Sequence, residues 1–267
     1  MPLSFVGLGL DKTDLSIRAL EEIKQADKIF GEAYTTCIPE ETRNELEQFI
    51  TREVIWLERE DLEEHADRFL MKARYTTIVL LVGGDPFVAT THMALRMRAA
   101  ELGIPCHVIH APSIYSVVSS TGLFSYKFGR ATSIPFLEQA DPSEVPYDVI
   151  AKNQTIDAHT LVFLDLVVRQ NRYMTIEEGL TILETLERKR GENVIQSNML
   201  VIGLARVGTT SAVIQAGEFA QIKELRFGAP PQAIVIPGPL HFAEAEALVK
   251  LWGAPDEILN PNQPQNK

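Results

Sequence analysis

Two α/β domains, the first on a mostly parallel sheet and the second on a mixed one, are the architecture this sequence predicts. Three observations point to it. Short apolar runs alternate with amphipathic stretches throughout the first half, the spacing of strand–helix–strand units. The second half keeps the alternation but adds a hairpin pattern around Val207-Gly208-Thr209-Thr210. The chain has 267 residues, which at roughly 150 per domain is one large domain or two small ones.

Taken in order, Leu3–Leu8 reads as a strand. Thr13-Asp14 is placed to cap a helix running to about Asp27, with Leu15, Ala19, Leu20 and Ile23 on one face. Lys28–Tyr34 is a second strand, Pro39 opens an acidic helix to about Ile50, and Val54–Leu57 is extended. Asp61–Arg74 reads as one helix, and Thr77–Val82 as a buried strand broken by Gly83-Gly84-Asp85-Pro86. A helix from about Thr90 to Gly103 leads to a strand at Pro105–Ile109. In the second half, Ser113–Thr121 and Asp148–Ala158 read as helical, Ala131–Ile134 and Thr160–Leu166 as extended. Thr175 caps a helix to Arg190, with Glu177 and Glu178 at its positive end. Met199–Arg206 and Ser211–Gln215 form the hairpin, Ala233–Ile236 a last strand and Leu240–Trp252 a last helix. The expected domains are therefore 1–111 and 112–255, followed by a tail, 256–267, whose Asn, Pro and Gln content predicts fraying.

Composition removes several function classes. Hydrophobic residues make up 45% of the chain, too many for a disordered protein, and 16 Gly with 15 Pro exclude collagen-like sequence. The formal charge of −11 argues against a protein that coats duplex nucleic acid, which needs a basic surface to displace counterions. That charge is uneven: Glu32 to Asp67 holds twelve acids against three bases, so this segment supplies −9 and the rest of the chain −2. No apolar run approaches the roughly 20 residues of a membrane span. With only Cys37 and Cys106, far apart, a reduced cytoplasmic protein is expected rather than a disulfide framework.

Among the chemistry-bearing motifs, Gly7-Leu-Gly9 follows the first strand as a dinucleotide loop would, but the third glycine of that fingerprint falls on Lys12. A tight turn explains it as well. The chain has no Gly-Lys pair for a phosphate-binding loop, no G-x-S-x-G and no H-E-x-x-H. Gly83-Gly84-Asp85-Pro86 stands at the carboxyl end of a predicted parallel strand, where open α/β sheets bind ligands. An Asp-Pro turn opening the next helix is the alternative. Cys106, His107 and His110 are close in sequence, but on a strand His107 and His110 face opposite sides, and no metal site is expected. The alternation of Phe124, Tyr126 and Phe128 fits an aromatic shelf or an ordinary strand equally well.

In order along the chain, Phe5-Val-Gly-Leu-Gly-Leu10, Gly84-Asp-Pro-Phe-Val-Ala-Thr-Thr-His92, His110-Ala-Pro-Ser-Ile-Tyr-Ser116 and Tyr126-Lys-Phe-Gly129 resemble the archaeal type of diphthine synthase. Thr160-Leu-Val-Phe-Leu-Asp165, Leu204-Ala-Arg-Val-Gly208 and Pro237-Gly-Pro-Leu-His241 extend the likeness over almost the whole chain. Gly-Asp-Pro alone marks the wider class of tetrapyrrole-methylase-like methyltransferases.

The resemblance implies a two-domain methyltransferase with S-adenosylmethionine in a cleft between the domains and a homodimer as the working unit. It implies elongation factor 2 as substrate, methylated on the amine of a 3-amino-3-carboxypropyl group carried by one histidine, in diphthamide synthesis. Neither nucleic acid nor membrane is an expected partner. The cofactor contacts it implies are Leu10, Asp85, Val88, Ser113, Ile114, Leu164, Val207 and Gln232. Val207 stands where alanine is frequent in that family and Gln232 where histidine occurs. The residues suit the cofactor: Leu10, Val88, Ile114 and Leu164 offer apolar walls, Asp85 and Ser113 polar anchors.

The reaction implied is in-line displacement of a sulfonium methyl by an unprotonated amine. An amine with a pKa one to three units above ambient pH loses roughly 1.4–4 kcal/mol to protonation. Enzymes commonly lower barriers by about 8 kcal/mol or more, so placement of the reactants covers this and no catalytic acid or base is assigned from sequence. A corrin or uroporphyrinogen methylase is the rival enzyme; those commonly carry G-x-G-P-G-D where this chain has Gly7-Leu-Gly-Leu-Asp-Lys12. A non-catalytic module that binds the same cofactor is the rival of a different class.

Overall fold

The structure, a computed structural model, describes residues 3–32, 34–36, 38, 40–136 and 142–259, with the backbone alone for Glu41. Cys37, Pro39 at the expected start of the acidic helix, and residues 260–267 of the expected tail lie outside the described residues. The chain divides into two compact units, residues 1–117 with 168–170, and residues 118–167 with 171–267.

The first unit is built on five parallel strands: β1 (Leu3–Gly7), β2 (Lys28–Glu32), β3 (Ile55–Leu57), β4 (Ile78–Val82) and β5 (Cys106–Ile109), in the order β3-β2-β4-β1-β5. Its helices are α1 (Ile17–Gln25), α2 (Glu40–Ile50), α3 (Arg59–Leu62), α4 (Ala66–Ala73), α5 (His92–Glu101) and α6 (Ile114–Val117). Every residue of β1 and β4 is buried, as a sheet covered on both faces requires. Because side chains alternate along a strand, Ile78, Leu80 and Val82 pack with Leu70 of α4 and Leu95 and Ala99 of α5. Val79 and Leu81 pack on the other face with Ala19 and Ile23 of α1 and Leu46 and Ile50 of α2.

Three helical expectations change here. Ser16, not Thr13-Asp14, caps α1, its side chain accepting from Ala19 N; Asp14 is instead held by the loop before it. The single helix expected over Asp61–Arg74 is two, α3 and α4, broken around His65, which lets Leu62, Phe69 and Leu70 all reach one core. The stretch Ser113–Thr121 holds α6 and then a 3-10 turn, Val118–Thr121.

The second unit carries a five-stranded mixed sheet in the order β11-β10-β12-β7-β6, from β6 (Thr132–Ile134), β7 (Thr160–Leu164), β10 (Leu200–Ala205), β11 (Val213–Glu218) and β12 (Gln232–Ile236). Only β6 and β7 pair in parallel; the others are antiparallel. A small ribbon, β8 (Leu166–Val167) with β9 (Arg172–Tyr173), was not expected from sequence. Neither was α9 (Phe219–Glu224), six residues directly after β11 with too few turns to show a helical period. The other helices are α7 (Val145–Gln154), α8 (Ile176–Arg190) and α10 (Phe242–Trp252). α7 begins earlier than its expected Asp148, since Pro146 sits in the first turn, where its missing N–H costs nothing. α8 starts on Thr175 in a capping box with Glu178 and ends on Gly191 at φ +66°.

At one end of this sheet a buried carboxylate gathers three chain segments. Glu244, fully buried in the first turn of α10, accepts hydrogen bonds from Phe124 N (2.7 Å) and His159 Nε2 (3.0 Å) on one oxygen. Its other oxygen accepts from Lys127 Nζ (2.6 Å) and His241 N (2.8 Å). His159 Nδ1 in turn accepts from Gly238 N at 2.9 Å, so the ring is satisfied as the Nε2–H tautomer. Burial lowers the His159 pKa and keeps that ring neutral, against a smaller upward pull from Glu244. For Glu244 burial pushes upward, but Lys127, the Phe124 and His241 amides and His159 outweigh it and hold the carboxyl at about 2. Phe124, Tyr126 and Phe128 resolve accordingly: a 3-10 turn, Ser125–Lys127, stacks Phe124 on Tyr126 at 5.3 Å and sets Phe128 against His159.

A depressed carboxyl pKa stabilises the fold above the ordinary value of 4.5, and that stability is lost as pH falls toward about 2. Glu244→Gln should lower stability at pH 7 by about 3–5 kcal/mol, since it strands Lys127 without its counter-charge. It should also flatten the loss of stability between pH 4.5 and 2, measured by denaturant unfolding across that range.

Candidate functional site

The carboxyl edge of the first unit's sheet is where its chemistry collects. β1 lies between β4 and β5, so Leu8-Gly9-Leu10, Gly83-Gly84-Asp85 and His110-Ala111 leave three adjacent strands side by side. The helix that follows β1 packs on one face and the helix that follows β4 on the other. The β1–β4 gap is therefore a topological switch point, where sheets of this kind bind ligands.

Two glycines close that gap. Gly9 N donates to Gly84 O at 3.2 Å and Gly84 N to Gly9 O at 2.8 Å. Both sit at positive φ, +75° and +67°, which β-carbon sterics deny to most residues. A β-carbon on Gly9 would come within 2.2 Å of Asp14 Cβ, whereas one on Gly84 would meet nothing nearer than Ser113 Cβ at 3.9 Å and Pro112 O at 4.0 Å. Gly9 is thus a packing requirement, and Gly84 leaves backbone open beside Ser113. The Asp14 carboxylate fixes the turn by accepting from Leu10 N (2.9 Å) and Asp11 N (3.1 Å).

Asp85 is buried and heavily engaged. Oδ1 accepts from Phe87 N at 3.0 Å; Oδ2 meets His110 Nδ1 at 2.8 Å and accepts from Ala111 N at 3.3 Å. One carboxylate thus ties the turn after β4 to the turn after β5. Val88 N donates to the Asp85 carbonyl at 3.2 Å, closing the turn that the Asp-Pro reading anticipated. Ser113 is buried, its N–H donating to Ser116 Oγ at 2.9 Å, and Ile114 begins α6 beside it. Five of the eight expected contacts therefore follow the carboxyl ends of these strands, Leu10, Asp85, Val88 and Ser113 on loops and Ile114 at the start of α6.

The other three belong to the second unit, at one end of its sheet. Leu164 ends β7, Gln232 begins β12, and Val207 lies just past the end of β10, whose Ala205 is paired with Gln232. Leu164 and Val207 are buried, and Leu164 packs over the bare Cα of Gly179 in α8. Gln232 is employed at both ends of its amide: Oε1 accepts from Ile176 N at the start of α8 (2.9 Å) and Nε2 donates to Gly228 O (2.8 Å). A side chain so bound has both ends of its amide already engaged within the second unit.

The Cys106-His107-His110 grouping separates. His107 lies 3.5 Å from Glu22, Cys106 contacts the Ile104 carbonyl, and His110 joins Asp85. Sequence reasoning missed the Asp85–His110 pair, 25 residues apart, although both positions follow predicted parallel strands. That shared topology was the available signal.

Comparison with known proteins supplies the class first. Residues 2–219 match the family Tetrapyrrole (Corrin/Porphyrin) Methylases. Within it, a diphthine synthase of Methanosarcina barkeri (strain Fusaro / DSM 804) is 44% identical over 260 residues, 95% of this chain and 97% of its own. That of Methanosarcina mazei (strain ATCC BAA-159 / DSM 3647 / Goe1 / Go1 / JCM 11833 / OCM 88) is 42% identical over 264 residues, 96% and 98% of the two chains. A crystal structure of diphthine synthase matches with a TM-score of 0.88 at 36% identity, covering 97% of this chain and 99% of that one. The chain belongs to the diphthine synthases and is a methyltransferase of diphthamide biosynthesis.

Gly9→Ala should destabilise the first unit by more than the roughly 1–2 kcal/mol of left-handed backbone strain, because Asp14 must also move. Gly103→Ala is the control: its φ is +69°, but no atom lies within 4 Å of the missing β-carbon. Thermal unfolding of both variants should show the larger drop for Gly9→Ala.

Proposed function

We propose that the protein transfers methyl groups from S-adenosylmethionine to the amine of a 3-amino-3-carboxypropyl-histidine on elongation factor 2, as a cytoplasmic homodimer. The observation that carries this reading is the edge built by Gly9, Gly84, Asp85 and Ser113 in a chain of the diphthine synthase family. The donor set there fits the cofactor. It consists of backbone amides and carbonyls, aliphatic walls and a carboxylate, while the nearby cation, Lys12, is paired with Glu45 at 2.7 Å. A buried carboxylate with aliphatic neighbours repels a pyrophosphate and suits a ligand with a sulfonium charge and no phosphate.

Leu10, Val88 and Ile114 are assigned to the apolar part of the ligand and Ser113 to its polar groups. Asp85 keeps the turns after β4 and β5 in register as well as supplying negative charge. Leu164, Val207 and Gln232 are assigned as contacts from the second unit. When bound, the cofactor supplies an electrophilic methyl on sulfur. The protein's part is to hold donor and amine in line, since orientation alone is worth several kcal/mol. Among the described residues no helix is long and apolar enough to cross a membrane.

Asp85→Ala should weaken S-adenosylmethionine binding at least about tenfold by calorimetry, as expected for loss of hydrogen bonds to a charged group. Near-normal affinity would remove Asp85 from the site. Mass spectrometry of elongation factor 2 from cells with and without the gene should show the methylated histidine only in the former. Identical spectra would defeat the proposed reaction.

A further inference from the structure

We infer that His110 accepts the proton of the substrate ammonium, an inference that rests on the methyl transfer proposed above. The chain has six histidines. His92 and His159 are buried, His107 faces Glu22, His241 caps α10 and His65 sits at the break between α3 and α4. His110 is placed differently. It directly follows β5 on the carboxyl edge, beside Ala111, whose N–H also reaches Asp85, and three residues before Ser113.

The Asp85 carboxylate only accepts hydrogen bonds, so the 2.8 Å contact puts the proton of the neutral ring on Nδ1 and leaves the Nε2 lone pair free. The His110 side chain is 72% exposed and that of Asp85 only 9%, so the pair has a buried anchor and an open end. Nε2 has no hydrogen bond among the described residues, and Asp85 is the charged group in contact with the ring. A base oriented by a buried carboxylate and open at its other nitrogen is a recurring arrangement for proton removal.

The step balances simply. An N–H bond of the substrate ammonium breaks, its electron pair stays on nitrogen as the attacking lone pair, and the proton passes to His110 Nε2. The resulting imidazolium is stabilised by Asp85. The methyl then joins nitrogen as its bond to sulfur breaks, with that electron pair remaining on sulfur. His110 returns its proton to water, ready for another round. Water could accept the proton unaided, but a positioned base typically adds about 10²–10⁴ in rate.

The test uses the full-length protein, labelled S-adenosylmethionine and elongation factor 2 carrying the unmethylated group. His110→Ala and His110→Gln should lower kcat about 100-fold at pH 7, with cofactor affinity by calorimetry within twofold of the parent. The loss should shrink as pH rises and the amine deprotonates by itself. Added imidazole should restore part of the rate to His110→Ala. Unchanged kcat across the pH range, a defect that neither pH nor imidazole relieves, or a parallel loss of cofactor affinity each overturns the inference. If the parent protein itself transfers no methyl group, the functional reading falls and this inference with it; a failure confined to the His110 variants leaves that reading standing.

Discussion

The backbone pairing of Gly9 with Gly84 is the constraint on which the first unit's chemistry depends. Adjacent parallel strands ordinarily send their following segments away from the sheet. Here the segments after β1 and β4 are drawn together by two reciprocal hydrogen bonds, 3.2 and 2.8 Å long, before their helices leave for opposite faces. That closure needs left-handed backbone at both residues, which glycine adopts without steric penalty. Asp14 then buttresses one turn and Asp85 the other. The switch point thereby becomes a fixed surface, with Asp85 available to orient the imidazole beside it.

The second unit meets a similar problem by different means. Its sheet is mostly antiparallel, and the segments near Phe124, His159 and His241 converge on Glu244 rather than on paired glycines. A fully buried carboxylate is tolerable only because four donors reach it, one of them the Lys127 ammonium. The cluster takes in Lys127 and Phe128 of one motif, Tyr126-Lys-Phe-Gly129, and Gly238 and His241 of another, Pro237-Gly-Pro-Leu-His241. It lies at the end of the sheet opposite Leu164 and Gln232, since Thr160 pairs with Ile236 at one end and Phe163 with Ala233 at the other.

How much of this was legible in the sequence follows from the range of the interactions involved. β1 and β4 are legible to within a residue or two because buried parallel strands are continuous apolar runs. Thr175 announced α8 because a capping box is local chemistry. Asp14 looks like a helix cap in sequence, yet its partners are the turn amides just before it, and the two uses leave the same local pattern. Glu244 gave no signal, its partners lying up to 120 residues away, and Asp85–His110 needed the strand order that places β4 and β5 on either side of β1. Leu10, Asp85, Ser113 and the others came from motif resemblance, and residue patterns alone reached only the Gly-Asp-Pro turn.

The strand lengths of the first unit carry one more consequence. Its sheet is open, and its borders are β3, three residues long, and β5, four. The two strands buried along their whole length, β1 and β4, are enclosed on both sides by other strands. An unpaired border this short offers few free peptide groups on which another chain could add a strand. The arrangement guards against edge-to-edge aggregation at the two borders while the paired central strands carry the apolar core.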